Sequence, residues 1–206
     1  MELWANLAMA AALAWASGIR LYAVLFAIGL AGRFDWLGWT PPHSFAILSN
    51  PWVLAATGFL LLVEFLADKI PGIDSLWGIA NTLTRIPAGA MLAAGVIGQG
   101  DTEAWMLAGA LLGGSVTAGT HFLKEGSRAA INTSPEPVSN VSASFSEEAA
   151  MVGGLWLAIQ HPILFLALLA PFVLLMIWLV PKLISYLVKT VKRCAVWLSP
   201  APRTSS

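Results

Sequence analysis

The chain has 206 residues and no net formal charge; 58% are apolar and only 11% charged, about half the charged share of a soluble domain. These totals exclude an ordinary soluble domain and a basic nucleic-acid-binding surface, so no nucleic-acid partner is expected. Long continuous apolar runs exclude a β-barrel, whose strands would alternate. What remains is an all-α fold, a polytopic transmembrane helical bundle. It forms one domain over residues 1–190, followed by a basic cytoplasmic tail at 191–206.

The first apolar run, residues 3–32, is too long for one untilted crossing. It is interrupted at Ser17-Gly18-Ile19-Arg20, and reads either as one long broken helix or as a re-entrant pair of half-helices. Its leading Met-Glu-Leu-Trp lacks the basic region of a cleavable signal, so the segment is expected in the mature protein. Residues 33–50 form a loop with Arg33, Asp35 and a Pro41-Pro42 stop. A second span covers 51–69, with Pro51 at its first helical position. Its end, Glu64 to Trp77, gathers Glu64, Asp68, Lys69 and Asp74 in an otherwise charge-poor chain. Glu64 and Asp68 share a helical face by their i,i+4 spacing, and Pro71-Gly72 then turns the chain.

A third span, 75–98, buries Arg85 ahead of Pro87. Residues 103–131 are apolar to Gly119 and then polar, with His121, Lys124, Glu125 and Arg128. Asn132 to Asn140 is expected to be irregular, because Pro135 and Pro137 oppose a helix. Residues 146–160 open on Glu147-Glu148, which suit a helix N-terminus. The last span, 162–188, leads into Lys189, Lys192, Arg193 and Arg203. Cys194 reads as a bystander thiol, and as a lone cysteine it forms no intrachain disulfide. The expected count is about six crossings. Basic residues then collect on one side, which predicts an inner-membrane protein with both termini cytoplasmic.

The halves 1–100 and 101–190 share a pattern. Ser17-Gly18-Ile19-Arg20-Leu21 is similar to Ala118-Gly119-Thr120-His121-Phe122, and Ser49-Asn50 precedes Pro71 much as Ser139-Asn140 precedes Pro162. With three crossings per half, this predicts two inverted three-helix repeats, each with a broken first helix.

Arg20, Glu64, Asp68, Arg85 and His121 are the candidate ion- or substrate-binding residues. An uncompensated charge at mid-helix costs roughly 2.5–3.5 kcal/mol on insertion scales, so each needs a partner or a purpose. One reading is a polar cavity for an anion, a metal ion or protons. The other is a set of ion pairs locking helices together. Lys69 and Asp74 read as topology and turn residues, and Tyr22 and Trp77 as packing or belt aromatics. The segment Asn132, Ser134, Pro135, Glu136, Pro137 and Asn140 reads as a cytoplasmic lid with Glu136 as a ligand, or as an ordinary surface loop. His43, His121 and His161 lack metal-ligand spacing, so the identity of any metal is left open. No catalytic motif is present, and neither catalysis nor a cofactor is expected.

Ser17-Gly-Ile-Arg-Leu-Tyr22, the stretch Glu64 to Trp77, Arg85-Ile-Pro-Ala-Gly89, Gly119-Thr-His121 and Asn132 to Asn140 together resemble the bacterial membrane family known as domain of unknown function 4126. The resemblance covers roughly residues 5–188. It implies a multi-spanning membrane protein and names no substrate. Glu64-Phe-Leu-Ala-Asp-Lys69 also resembles the Glu-x-Gly-Asp-Lys motif of manganese and calcium transporters, with one more residue between the acids and no glycine. The function expected is a small transporter or permease-like protein with a buried charged site for an ion or a small polar or anionic solute. The alternative is a non-transporting membrane scaffold. Expected partners are the bilayer and the solute or ion, with a homo-oligomer left open.

Overall fold

The computed structural model describes residues 2–34, 39–70, 73–98, 103–132 and 137–198, and among them every regular element is helical. The helices are α1 (Glu2–Phe34), α2 (Pro51–Ala67), α3 (Ile73–Ile97), α4 (Glu103–Ile131), α5 (Pro137–Gln160) and α6 (Pro162–Leu198), with a 3-10 helix at His43–Ser49. Pro51 opens α2 as expected, and the Asn50 side chain caps it by accepting from the Trp52 N–H at 2.9 Å. Pro137 also opens a helix: α5 starts there, nine residues ahead of the expected 146. A proline costs a helix its interior hydrogen bond but not its first turn, so Pro137 and Asn140 are helical rather than irregular. Pro71-Gly72 lie outside the described residues.

The first helix decides the architecture. Arg20 has φ −146° and ψ 90°, outside the helical region, so α1 is two helical arms joined at that residue. Met9 and Leu13 from the first arm and Val24 and Ile28 from the second belong to one apolar cluster and line one cavity of about 340 Å³. In a straight helix Met9 and Ile28 would be about 28 Å apart at 1.5 Å per residue. The arms therefore fold back on each other, and residues 3–32 form a pair of half-helices rather than one continuous rod.

Contacts along the bundle agree. Trp4, Leu7 and Ala10 lie against Ala93, Ile97 and Gly109, where α3 ends and α4 begins. Gly29, on the returning arm, meets Leu48 and Leu54, and Phe45 packs on Gly95 at the same end of α3. At the tip, by contrast, the Tyr22 hydroxyl donates to Asn81 Oδ1 at 2.8 Å, and Lys124 donates to the Ile19 carbonyl at 3.0 Å. These partners lie in the opposite halves of α3 and α4. The 3-10 helix and α2 make a second bent pair, at 73°.

Helices α3 and α4 pack lengthwise, with Gly113 against Ala93. α6 lays Phe165 beside Ala8 and Ala12, and Met176 beside Gly119 and Thr120. It starts at the end where α1 starts and runs alongside the first arm toward the tip. The outer ends of α1 and α6 thus lie at opposite ends of the bundle. The expectation of six crossings with both termini on one side counted α1 as one traverse, whereas in the fold α1 turns back on itself. The two halves also differ where a repeat was expected: α1 breaks at Arg20, whereas α4 continues as one helix through His121.

Leu3–Phe34, Glu103–Ile131 and Pro162–Lys182 are each long and apolar enough to cross a membrane, and the bent 3-10/α2 pair makes a fourth candidate. Polarity is reversed relative to a soluble protein. Phe59, Leu83, Met91, Leu111 and Ile177 face outward, while Arg20, Glu64, Arg85, His121 and Arg128 are fully buried. Apolar helices of this kind fit a lipid environment.

Gly18 tests the hairpin. A Cβ there would lie 2.7 Å from the Thr117 carbonyl oxygen and 2.7 Å from Thr120 Cβ, and the backbone oxygen cannot rotate away. Gly18→Ala is expected to destabilise by about 1–3 kcal/mol, as overpacking does. Gly153→Ala, where a Cβ meets nothing within 4 Å, should be neutral or stabilising by up to about 1 kcal/mol. Thermal unfolding of the detergent-solubilised protein, followed by tryptophan fluorescence, compares the two.

Candidate functional site

The α1 tip, the end of α2, the first half of α3, the last third of α4 and the first half of α5 converge on one buried polar network. Arg20, Glu64, Asp68, Arg85 and His121 all lie in it, and each is at most 1% exposed. It has two linked parts.

The first is built on Arg85. Its Nη2 bonds Glu64 Oε1 across α3 and α2, and its Nη1 faces His121 Nδ1 at 3.2 Å and Glu125 Oε1 at 3.7 Å. A guanidinium has no lone pair to offer, so Nδ1 must accept from it. The imidazole proton therefore sits on Nε2, which donates to Thr82 Oγ1 at 2.8 Å. That hydroxyl in turn donates to the Gly78 carbonyl at 3.1 Å.

The second part is built on Asp68, which follows the last residue of α2. Asp68 Oδ2 takes Arg20 Nη2 at 2.9 Å and Lys124 Nζ at 3.1 Å. Arg20 also donates to Ser144 Oγ at 2.8 Å and meets Glu148 Oε1 at 3.1 Å, which ties the tip of α1 to α5. Arg128 forms a two-point pair with Glu147, both bonds at 2.9 Å, and donates to the Asp68 and Asn140 carbonyls at 3.2 and 3.1 Å. Two cations, Arg20 and Lys124, thus compensate the one buried Asp68 carboxylate.

Asn132 and Asn140 close the edge of the network. Asn140 Nδ2 donates to Asn132 Oδ1 at 2.9 Å, and Asn132 Nδ2 reaches Asp74 Oδ2 at 3.5 Å. Both therefore clasp the α4 and α5 ends. Ser134, Pro135 and Glu136 lie outside the described residues, and Pro137 contributes the start of α5.

Sequence reasoning missed several members. Lys124, Glu125 and Arg128 continue the His121 face at helical spacing, a signal that was present. Glu147 and Glu148 lie ten residues into α5, not at its N-terminus, because the helix begins at Pro137. Asp74, in the first turn of α3, is 1% exposed and is reached by Asn132, so it joins the edge of the network. Tyr22 bonds Asn81 rather than serving only as packing, and Lys69 sits over the Phe65 ring at 2.9 Å from its centroid.

Pairing is incomplete. Arg20 Nε and Nη1, Glu64 Oε2, Arg85 Nε, Glu125 Oε1 and Trp77 Nε1 are buried with no hydrogen-bond partner. Such atoms are costly unless water, a proton or an ion serves them. Among the described residues, no three or more His, Cys, Asp or Glu side chains group to hold a metal ion. Glu64 and Asp68 both face cationic side chains instead.

Arg85→Ala should destabilise by about 3–5 kcal/mol, because it strands Glu64 as an unpaired buried carboxylate. The double variant Glu64→Leu/Arg85→Met should recover most of that loss. Thermal unfolding in detergent reads both. A family model described as "Domain of unknown function (DUF4126)" matches residues 7–182. No curated protein and no solved structure matches the chain.

Proposed function

The chain belongs to the DUF4126 family, and we propose that it is a small permease-like membrane protein that moves an ion or a small polar solute through the Arg20–Glu64–Arg85 network. The observation that carries this reading is the broken backbone at Arg20. Non-helical backbone at membrane depth is tolerated where protein or a water-filled cavity satisfies it, and discontinuous helices of this kind build transporter sites. Here the break sits among ionisable side chains from five helices. Arg20 and Arg85 would hold an anionic group or position the carboxylates, and Glu64 and Asp68 would carry the cation or proton.

Topology follows from the basic residues. Lys69, Lys124, Arg128 and the Lys182–Arg193 stretch belong to the end where the α1 tip lies, or run out beyond it. The positive-inside tendency makes that end cytoplasmic. The reading is then one re-entrant hairpin and five traverses, with the tail inside and the N-terminus outside, in the inner membrane. The two halves are read as diverged repeats, of which only the first keeps its break.

A scaffold is the second reading. It is favoured by the fact that Arg20, Arg85, Lys124 and Arg128 each have a carboxylate within 4 Å. Single cysteines at Ala67, Thr82 and Ser144 on a Cys194→Ser background separate the two. Labelling by membrane-impermeant thiol reagents in intact membranes is expected at these positions, and protonophores or external pH should change its rate. Uniform protection from both faces would instead assign the network to structure.

A further inference from the structure

Resting on that reading, we infer that the network binds a proton at Glu125, beside His121, and that Arg85 couples this proton to Glu64. The species the site handles is thus H⁺ rather than a metal cation or a solute anion.

The argument begins with charge. Within hydrogen-bond or ion-pair reach of Arg85 lie two carboxylates, Glu64 and Glu125, and one imidazole. The imidazole is neutral, since its Nδ1 faces a guanidinium donor. One cation therefore meets two anions, and a single added positive charge neutralises the group. The Asp68 part is different: Arg20, Lys124 and Arg128 already crowd its three carboxylates, Asp68, Glu147 and Glu148.

Geometry then selects the receiver. Glu125 Oε1 is 3.7 Å from Arg85 and 3.8 Å from His121 Nδ1, close enough for attraction and too far for a hydrogen bond. It is buried and unpartnered. At 19% side-chain exposure Glu125 is the one member of this group that is not sealed, since Glu64, Arg85 and His121 are at 0%. Every group facing His121 favours this assignment. Arg85 on α3 opposes a second ring proton, Thr82 on the same helix takes the Nε2 proton, Glu64 on α2 is occupied by Arg85, and α1 meets the ring's helix at Gly18. Glu125 is left as the entry.

The step is a proton addition. Water-borne H⁺ adds to a Glu125 carboxylate oxygen, forming O–H and removing the negative charge. With that charge gone, Arg85 keeps one carboxylate, Glu64, while His121 stays a neutral acceptor at Nδ1. Proton occupancy at the outer carboxylate is thereby felt at the sealed one.

Gly78 supplies an independent handle. A Cβ there would collide with the Glu125 carboxyl, which lies directly over the Gly78 Cα. Gly78→Ala thus displaces Glu125 without altering a titratable group, and the displaced side chain is flexible.

pH-difference infrared spectroscopy on the full chain reconstituted in lipid vesicles tests the proposal. Acidification should produce a carbonyl band from one buried protonated carboxyl. The band should vanish in Glu125→Gln and persist in Glu148→Gln. Its midpoint should move in His121→Gln and in Gly78→Ala by about one pH unit, a tenfold change in proton affinity. Solid-state ¹⁵N NMR of histidine-labelled protein should show the His121 signal as the Nε2–H tautomer at high pH. A band unchanged in Glu125→Gln overturns the proposal, as does a midpoint set by sodium concentration rather than pH, or an Nδ1–H tautomer at high pH. The band can be present while thiol labelling fails, in which case the proton site stands and the transport reading falls. Labelling without the band leaves transport standing and assigns it to another species.

Discussion

A buried guanidinium, placed at the turn of a helical hairpin, sets the terms for the rest of this fold. Arg20 is 1% exposed and carries five N–H donors and no acceptor. The hairpin can insert only if carboxylates meet it at depth. Asp68 arrives from the end of α2 and Glu148 from inside α5, so two helices distant in sequence are committed to the tip. Asp68 in turn draws Lys124, and Glu147 draws Arg128. The network grows outward because each buried charge requires the next, and it reaches its edge where the amides of Asn132 and Asn140 bond each other.

This chain of requirements explains the division of labour in the core. Near Met9, Leu13 and Val96 the packing is apolar, and small residues let the helices approach closely. Those contacts would hold equally well in slightly different registers. The polar end would not, because each ion pair works at one geometry. The apolar end supplies adhesion, and the charged end fixes which residues face each other. In lipid, where apolar surfaces have little reason to prefer one another, such register-setting by polar groups matters more than in water.

Much of this was legible in the chain itself. Five residues chosen only for being ionisable in apolar surroundings, Arg20, Glu64, Asp68, Arg85 and His121, do converge. The reason is physical: a charge inside an apolar helix has few stable solutions other than meeting another charge. The bounds of α2 and α3 came within two residues and those of α4 coincided, because their breaks are marked by proline, glycine and asparagine. What could not be read was direction. Residues 3–32 carry the same hydropathy whether they cross or return, and the choice depends on Arg20 adopting an extended φ in order to reach Asp68. Nor could Glu147 and Glu148 be placed. A first-turn proline and a helix-breaking proline look alike until the neighbours are known, so the start of α5 was set too late and its acids seemed terminal.

The orphaned atoms distinguish a lock from a device. A purely structural network gains by satisfying every donor and acceptor, since each buried unpaired group costs more than a made bond returns. Asp68 and Arg128 meet that standard, the latter through a two-point carboxylate pair and two backbone carbonyls. Arg20 leaves Nε and Nη1 unpaired, and in the Arg85 part Glu64 Oε2, Arg85 Nε and Glu125 Oε1, on both carboxylates as well as the guanidinium, lack partners. Three unpaired atoms around one guanidinium would be a poor way to glue helices. They are what the proposed proton site would leave unpaired when empty. The Asp68 part sets three cations against three carboxylates and holds the hairpin tip, whereas the Arg85 part, one helical turn away along α2, sets one cation against two.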